Sequence, residues 1–187
     1  MGIFDRTDLP TPSRNRSGSH DSDDVDKRTD VPQEGILRHG AVIVVPHPAD
    51  VRTTPPPFRR YLVIRRSDRV IAPRKLCFPG GGIESGETPE EGARREFREE
   101  MGAELATLRP IWENVTTWRV HLRWFLGLLP DESIPVFSPE EREISEWLWL
   151  SLPDLLDSPD LLVSNIPFLK DALSGVIDLS ENDPSQR

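Results

Sequence analysis

Two β-branched runs open the patterned part of the chain. Residues 36–45, ILRHGAVIVV, and residues 61–64, YLVI, both predict strands. Between them lies PHPADVRTTPPPF at 46–58, whose prolines cannot donate into a ladder, so it predicts a loop. Residues 105–117 and 120–129 predict two further strands. EWLWL at 146–150 alternates Trp with Leu, the pattern of a strand partly covered on both faces. A short helix starts at SLPD, 151–154, and another spans 166–173. One more helix is marked by its own ends. Thr88 is its N-cap, Pro89 takes the first helical position, Glu91 completes a capping box, and Gly102 is placed to end it left-handed. No internal repeat is present. Strands interrupted by isolated helices predict an α/β or α+β sandwich.

The ends of the chain lack such patterning. Residues 1–33 are rich in Asp, Ser, Arg, Thr and Pro, too polar to offset the entropy of ordering, and predict a disordered N-terminal tail. Residues 34–174 form the expected domain, and 175–187, ending SENDPSQR, predict a loose C-terminal tail. The formal net charge of −9 leaves no basic face for duplex nucleic acid. Small anionic ligands stay compatible with it, because a bound cation can supply positive charge. Cys77 is the single cysteine, so no intramolecular disulfide forms and a reducing, cytoplasmic setting is expected. The start, MGIFDRTDLP, has no apolar signal core, and no apolar run is long enough to span a bilayer, so no membrane partner is expected.

The chemistry concentrates at residues 81–103, GGIESGETPEEGARREFREEMGA, which hold seven glutamates and three arginines. On the predicted helix, Ala93, Phe97 and Met101 share an apolar arc that can pack on a sheet. Glu96, Glu99 and Glu100 fall on the neighbouring arc. Like charges at that spacing repel by roughly 0.2–0.5 kcal/mol per pair in water, and more strongly when desolvated. A hard divalent cation such as Mg²⁺, which takes oxygen ligands, removes the conflict. Arg95, four residues before Glu99, can hold that carboxylate in place. Most Glu-rich helices are simply solvated faces, but that reading does not account for the glycine-bearing flanks, the cap and the spacing together.

This stretch resembles the signature box of the Nudix hydrolases. Gly81, Glu87, Arg95, Glu96, Phe97, Glu99, Glu100, Gly102 and Ala103 fill its positions in order, and FPGG at 78–81 matches its usual entry. Ala103 departs mildly, where a larger aliphatic is commoner, as does Leu76, where many members carry Trp. The resemblance implies an α/β fold of Nudix type from about residue 35 to 173: an α/β/α sandwich with a mixed sheet and the box as a loop–helix–loop. It also implies hydrolysis of a nucleoside diphosphate linked to another group, with Mg²⁺ or Mn²⁺, by water attacking a phosphorus of the pyrophosphate. Glu96, Glu99 and Glu100 are the implied metal ligands, with Glu87 supporting them. The resemblance further implies that the backbone of residues 80–82 helps shape and support that metal site, and Gly81 and Gly82 are expected to meet the substrate. Glu99, Glu100, Arg95 and Glu143 form the implied catalytic set. Glu143, six residues before Trp149, is the first candidate for general base, with Glu140, Glu141 and Glu146 as rivals.

Substrate contacts are less specified. Arg65 and Arg66, with Arg69, Arg74 and Lys75, could meet distal phosphates or could equally be solvated cations. Trp112, Trp118 and Trp124 could stack a base, although tryptophans on strands are more often core. His121 has no evident partner, and Cys77 reads as a small buried residue and not a nucleophile. The expected partner is a small nucleotide, drawn from nucleoside triphosphates, ADP-ribose, dinucleoside polyphosphates, NADH, coenzyme A or capped RNA ends. The family resemblance also allows a homodimer. Two other readings stand beside the hydrolase: a non-catalytic ligand-sensing domain, which the complete box disfavours, and an isopentenyl-diphosphate isomerase-like enzyme, whose cysteine motif LCFPGG does not reproduce.

Overall fold

Valine and isoleucine on successive positions of the first two strands serve both faces of a sheet, and this sets the layering. The protein is described by a computed structural model covering residues 37–130 and 135–181. The expected disordered tail, 1–33, lies outside the described residues. Strand β1 (Arg38–Val44) sends Val42 and Val44 to one face and Ala41 and Ile43 to the other. Strand β2 (Arg60–Arg66) divides in the same way, Tyr61 and Val63 against Leu62 and Ile64. Strands covered on both sides read as unbroken apolar runs.

The remaining strands are β3 (Leu76–Cys77), β4 (Gly80–Gly82), β5 (Thr107–Val115), β6 (Val120–Leu128) and β7 (Ile144–Ser151). One sheet has the order β4-β1-β6-β5 and is mixed, since β1 runs parallel to β6 and antiparallel to β4. The other has the order β3-β2-β7. Backbone bonds from His47 to Arg60 (2.7 Å) and from Leu62 to Val45 (2.8 Å) join the two sheets beside the proline-rich loop. Helix α1 (Pro89–Met101) covers one face through Ala93, Phe97 and Met101. Helices α2 (Leu152–Leu156) and α3 (Ile166–Leu173) cover the opposite face, where Phe168 stacks on Trp124 at 4.2 Å. The expected α/β sandwich with a mixed sheet is therefore present.

Two expectations change. The loop that the resemblance puts ahead of the box helix is in part a strand, because Gly80–Gly82 adds to β1 at the sheet edge. Gly80 has φ 143°, and a Cβ there would stand 2.2 Å from the Ala41 carbonyl oxygen, so only glycine allows the approach. The segment after residue 174 is also not loose as far as it is described. Ile177 and Leu179 are buried in the core. Arg109 donates to the carbonyls of Asp178 and Ser180, and Arg59 pairs with Glu181. Residues 182–187 of that expected tail lie outside the described residues.

Candidate active site

Helix α1 is fixed at both ends by the residues that predicted it. The Thr88 hydroxyl accepts the Glu91 N–H at 3.2 Å, and the Glu91 carboxylate accepts the Thr88 N–H at 2.8 Å. Gly102 closes the helix at φ 64°. With Ala93, Phe97 and Met101 fully buried, the helix cannot rotate, and its acidic residues take set positions. Those positions differ from one another. Glu100 is buried at 4% exposure, and one of its oxygens accepts the Gly80 N–H at 2.7 Å. Glu96, one turn earlier, lies against Gly81, where a Cβ would come within 2.4 Å of its carboxylate. Glu99 is exposed and points along the solvent side. The three glutamates thus do not share one surface, as their spacing alone suggested. Two reach under the glycine strand and one stands outside.

Arg95 ties the loop to the helix. Its Nε and Nη2 bond the two Glu87 oxygens at 2.7 and 3.0 Å, and Nη2 also donates to the Gly82 carbonyl at 2.8 Å. Its Nη1 reaches Glu96 at 2.9 Å and Glu99 at 3.1 Å. The Arg95 guanidinium, joined by the Glu84 N–H, holds the Glu87 carboxyl down at about 2. Burial pushes Glu96 up against the opposing pull of Arg95. Burial also drives Glu100 up to about 8; the Gly80 N–H opposes this, while the charges of Glu96 and Glu143 add to it.

A second acidic element completes the groove. Glu140, Arg142 and Glu143 stand with Glu84, Arg95, Glu96, Glu99 and Glu100 around a volume of about 550 Å³. Of the candidate bases, all exposed, Glu140 and Glu143 line this groove, whereas Glu141 does not and Glu146 pairs with Arg65 at 2.9 Å. The glycines of β4 also line a recess of about 280 Å³, with Arg66, Phe78, Leu122, Leu162 and Asn165 among its walls.

The structure brings together Arg95, Glu96, Glu99, Glu100 and Glu143 around the groove, ties Glu87 to it through Arg95, places Gly81 and Gly82 beside it, and puts Arg66 in the neighbouring recess. It does not bring Arg65 there. Arg65 is held by Glu146 and Asp160, each at 2.9 Å, and lines neither the groove nor the recess. Arg74 pairs with Asp68, and Lys75 donates to the Pro159 carbonyl. Trp124 is core and bonds Asn114 at 3.1 Å; Trp112 packs on it, and Trp118 is exposed on the β5–β6 turn. His121, which had no evident partner in the sequence, meets Glu113 at 3.0 Å. Cys77 is buried, and its thiol is pushed up to about 12, as expected of a packing residue. Asn165 was not foreseen. Its place before Ile-Pro at a helix start suggests a cap, but its side chain instead accepts the Phe78 N–H at 3.2 Å and is 3% exposed.

The donor set fits a hard divalent cation. Glu96, Glu99, Glu100 and Glu87 offer only oxygen, the preference of Mg²⁺ and Mn²⁺. Glu100 is a buried carboxyl whose nearest acidic neighbours oppose its ionisation, a conflict that a cation relieves. Among the described residues, no three acidic, histidine or cysteine side chains are already gathered tightly enough to hold an ion; Arg95 stands between the carboxylates.

Fold and site together define an α/β domain that presents a carboxylate groove beside a part-apolar recess. The chain belongs to the NUDIX domain family, whose model matches residues 38–172. A Nudix hydrolase of Deinococcus radiodurans is 35% identical over 88 residues, 41% of this chain and 51% of that protein. The nucleoside triphosphatase NudI of Escherichia coli is 41% identical over 59 residues, 31% of this chain and 38% of that protein. The matches thus span about half or less of these relatives. The solved structure of DR0079 from Deinococcus radiodurans superposes with a TM-score of 0.59 at 20% identity, covering 75% of this chain and 87% of that one, a likeness of fold. Among the described residues, no helix is long and apolar enough to cross a membrane.

Proposed function

We propose that this domain hydrolyses a P–O–P bond in a nucleoside diphosphate linked to another group, with Mg²⁺ or Mn²⁺. The observation that carries this reading is the shared glycine strand: Gly80–Gly82 touches the acidic groove and lines the recess, so a phosphate chain can lie in one while a nucleoside occupies the other. Glu96, Glu99 and Glu100 hold the cation, and Glu87 supports it through Arg95. When bound, the cation lowers the pKa of water and neutralises charge growing on the bridging and leaving oxygens. Glu143 takes the proton of the attacking water from across the groove. Arg95 keeps Glu87 and Glu99 oriented, and Arg66 faces the phosphate chain from the recess. The backbone at Gly81 and Gly82 allows close approach of the substrate.

The partner is a small nucleotide. The activity named for the Escherichia coli relative puts nucleoside triphosphates first in any panel. The buried, high-pKa Cys77 weighs against isomerase chemistry through that thiol, and a single buried cysteine suits the reducing cytoplasm. The test is a panel of nucleoside triphosphates, ADP-ribose, dinucleoside polyphosphates, NADH and coenzyme A, assayed with Mg²⁺ and with Mn²⁺ by following phosphate-containing products. Turnover of at least one compound is expected. Tight binding of a nucleotide with no turnover of any compound would replace this reading with that of a sensing domain.

A further inference from the structure

Ser67 directly follows β2, at a place where the ladder to β7 is irregular. Arg65 lies opposite Glu146, but Arg66 lies opposite Ile144, which leaves Ser145 as an extra residue whose hydroxyl donates to the Arg65 carbonyl at 3.2 Å. Such a bulge bends the strand that carries it. Facing that bent stretch of β7 from the end of β2, Ser67 is 5% exposed and makes three bonds. Its N–H donates to the Glu143 carbonyl at 2.7 Å. Its hydroxyl donates to the Arg142 carbonyl and accepts the Arg69 N–H at 3.1 Å.

The turn that Ser67 grips is held from its other side by α1. Ser138 N–H donates to the Met101 carbonyl and Glu140 N–H to the Glu100 carbonyl, both at 3.0 Å, using groups that a helix end leaves open. Glu143 and Ile144 N–H close the turn on the Glu140 carbonyl, each at 2.9 Å. Residues 140–143 are therefore held between the helix that carries Glu96 and Glu100 and the end of β2, where Ser67 bonds two of their carbonyls. Glu143, next to both serine contacts, has its charge felt at Glu96 and at Glu100.

We infer that Ser67 is a positioning residue for the hydrolysis, its hydroxyl setting how far Glu143 stands from the helix-borne carboxylates. The inference rests on the reading of Glu143 as the group that takes the proton of water. A base must lie within hydrogen-bond reach of that proton, and a displacement of about 1 Å can cost on the order of a hundredfold in rate. The backbone bond from residue 67 to Glu143 survives any substitution except proline, so losing the hydroxyl loosens the turn without removing its main-chain tie.

The test is a double-mutant cycle on the full chain, with Mg²⁺ and whichever panel nucleotide the wild type turns over. Ser67→Ala is expected to lower kcat about tenfold or more while KM changes less than about twofold. Ser67→Thr, which keeps a hydroxyl, should retain most of the wild-type kcat. In a Glu143→Gln background, Ser67→Ala should lower kcat no further. Equal losses in both backgrounds, or a loss confined to KM, would overturn the role of Ser67 while leaving the hydrolase reading intact. A wild type that turns over nothing would overturn both. If Ser67→Ala fails to fold, the nearly isosteric Ser67→Cys, a weak donor, takes its place in the same cycle with the same expected pattern.

Discussion

Gly81→Ala separates the acidic groove from the fold that carries it. The backbone of Gly81 does not adopt the left-handed region that favours glycine, so alanine fits its main chain without strain. The new methyl carbon would stand 2.4 Å from Glu96 Oε2 and 2.5 Å from its Cδ, whereas ordinary contact begins at 3.4 Å. The Glu96 carboxylate must therefore withdraw by about 1 Å, a misplacement that can cost on the order of a hundredfold in rate, or about 2.7 kcal/mol of transition-state stabilisation. Because the clash is with the end of a flexible side chain, stability should change by less than about 1 kcal/mol and could rise slightly. The assay pairs thermal unfolding with steady-state kinetics over a titration of Mg²⁺. The expected outcome is a melting temperature close to wild type with kcat/KM about a hundredfold lower. Wild-type kinetics in a folded Gly81→Ala protein would refute the placement of Glu96 at the reacting site. Gly80→Ala is the control. There the added carbon meets the backbone oxygen of Ala41 at 2.2 Å with φ at 143°, so it should damage the fold itself.

Other outcomes follow from the same geometry. Glu99→Gln and Glu100→Gln should each lower kcat by about 10²–10³-fold while melting near wild type, since glutamine can still accept the Gly80 N–H at position 100; steady-state kinetics with far-ultraviolet circular dichroism checks both. Arg95→Ala frees Glu87 and Glu99 together and should raise the Mg²⁺ concentration needed for half-maximal rate by about 10–100-fold. Asp50, which accepts from the Arg60 guanidinium at 2.7 and 2.9 Å, is held at about 2 against an ordinary 3.8, chiefly by that bond. Its folded value is depressed, so its contribution of about 2 kcal/mol is fully present above pH 4 or so and fades as pH falls towards 2. Denaturant unfolding at stepped pH should show that loss in wild type and not in Asp50→Asn. Cys77 should react with a thiol reagent only as the protein unfolds, which labelling across a denaturant series would reveal.

What the sequence disclosed was what neighbouring residues decide among themselves. Thr88, Pro89, Glu91 and Gly102 bound helix α1 by local bonds, and the structure ends it at the residues they specify. The β1 and β2 runs were legible because both their faces are covered. By contrast, β4 consists of three glycines with no strand preference of their own; it exists only because β1 offers an edge. Ile177 and Leu179 were too sparse in a polar run to mark packing, and the residues that fasten them, Arg59 and Arg109, lie far back in the chain. Arg65 looked available for phosphate because Glu146 and Asp160, which hold it, are 81 and 95 positions away. The approach of Glu143 to the helix likewise depends on main-chain bonds to Ser67 and Glu100 that no local spacing encodes.

The measurement that bears most directly on the groove is a Mn²⁺ titration followed by electron paramagnetic resonance, with nucleotide present, on wild type and on a Glu96→Gln, Glu100→Gln double variant. The wild type should take up the ion and the folded double variant should lose that uptake. Equal binding by the two proteins would contradict the assignment of these carboxylates as the seat of the cation.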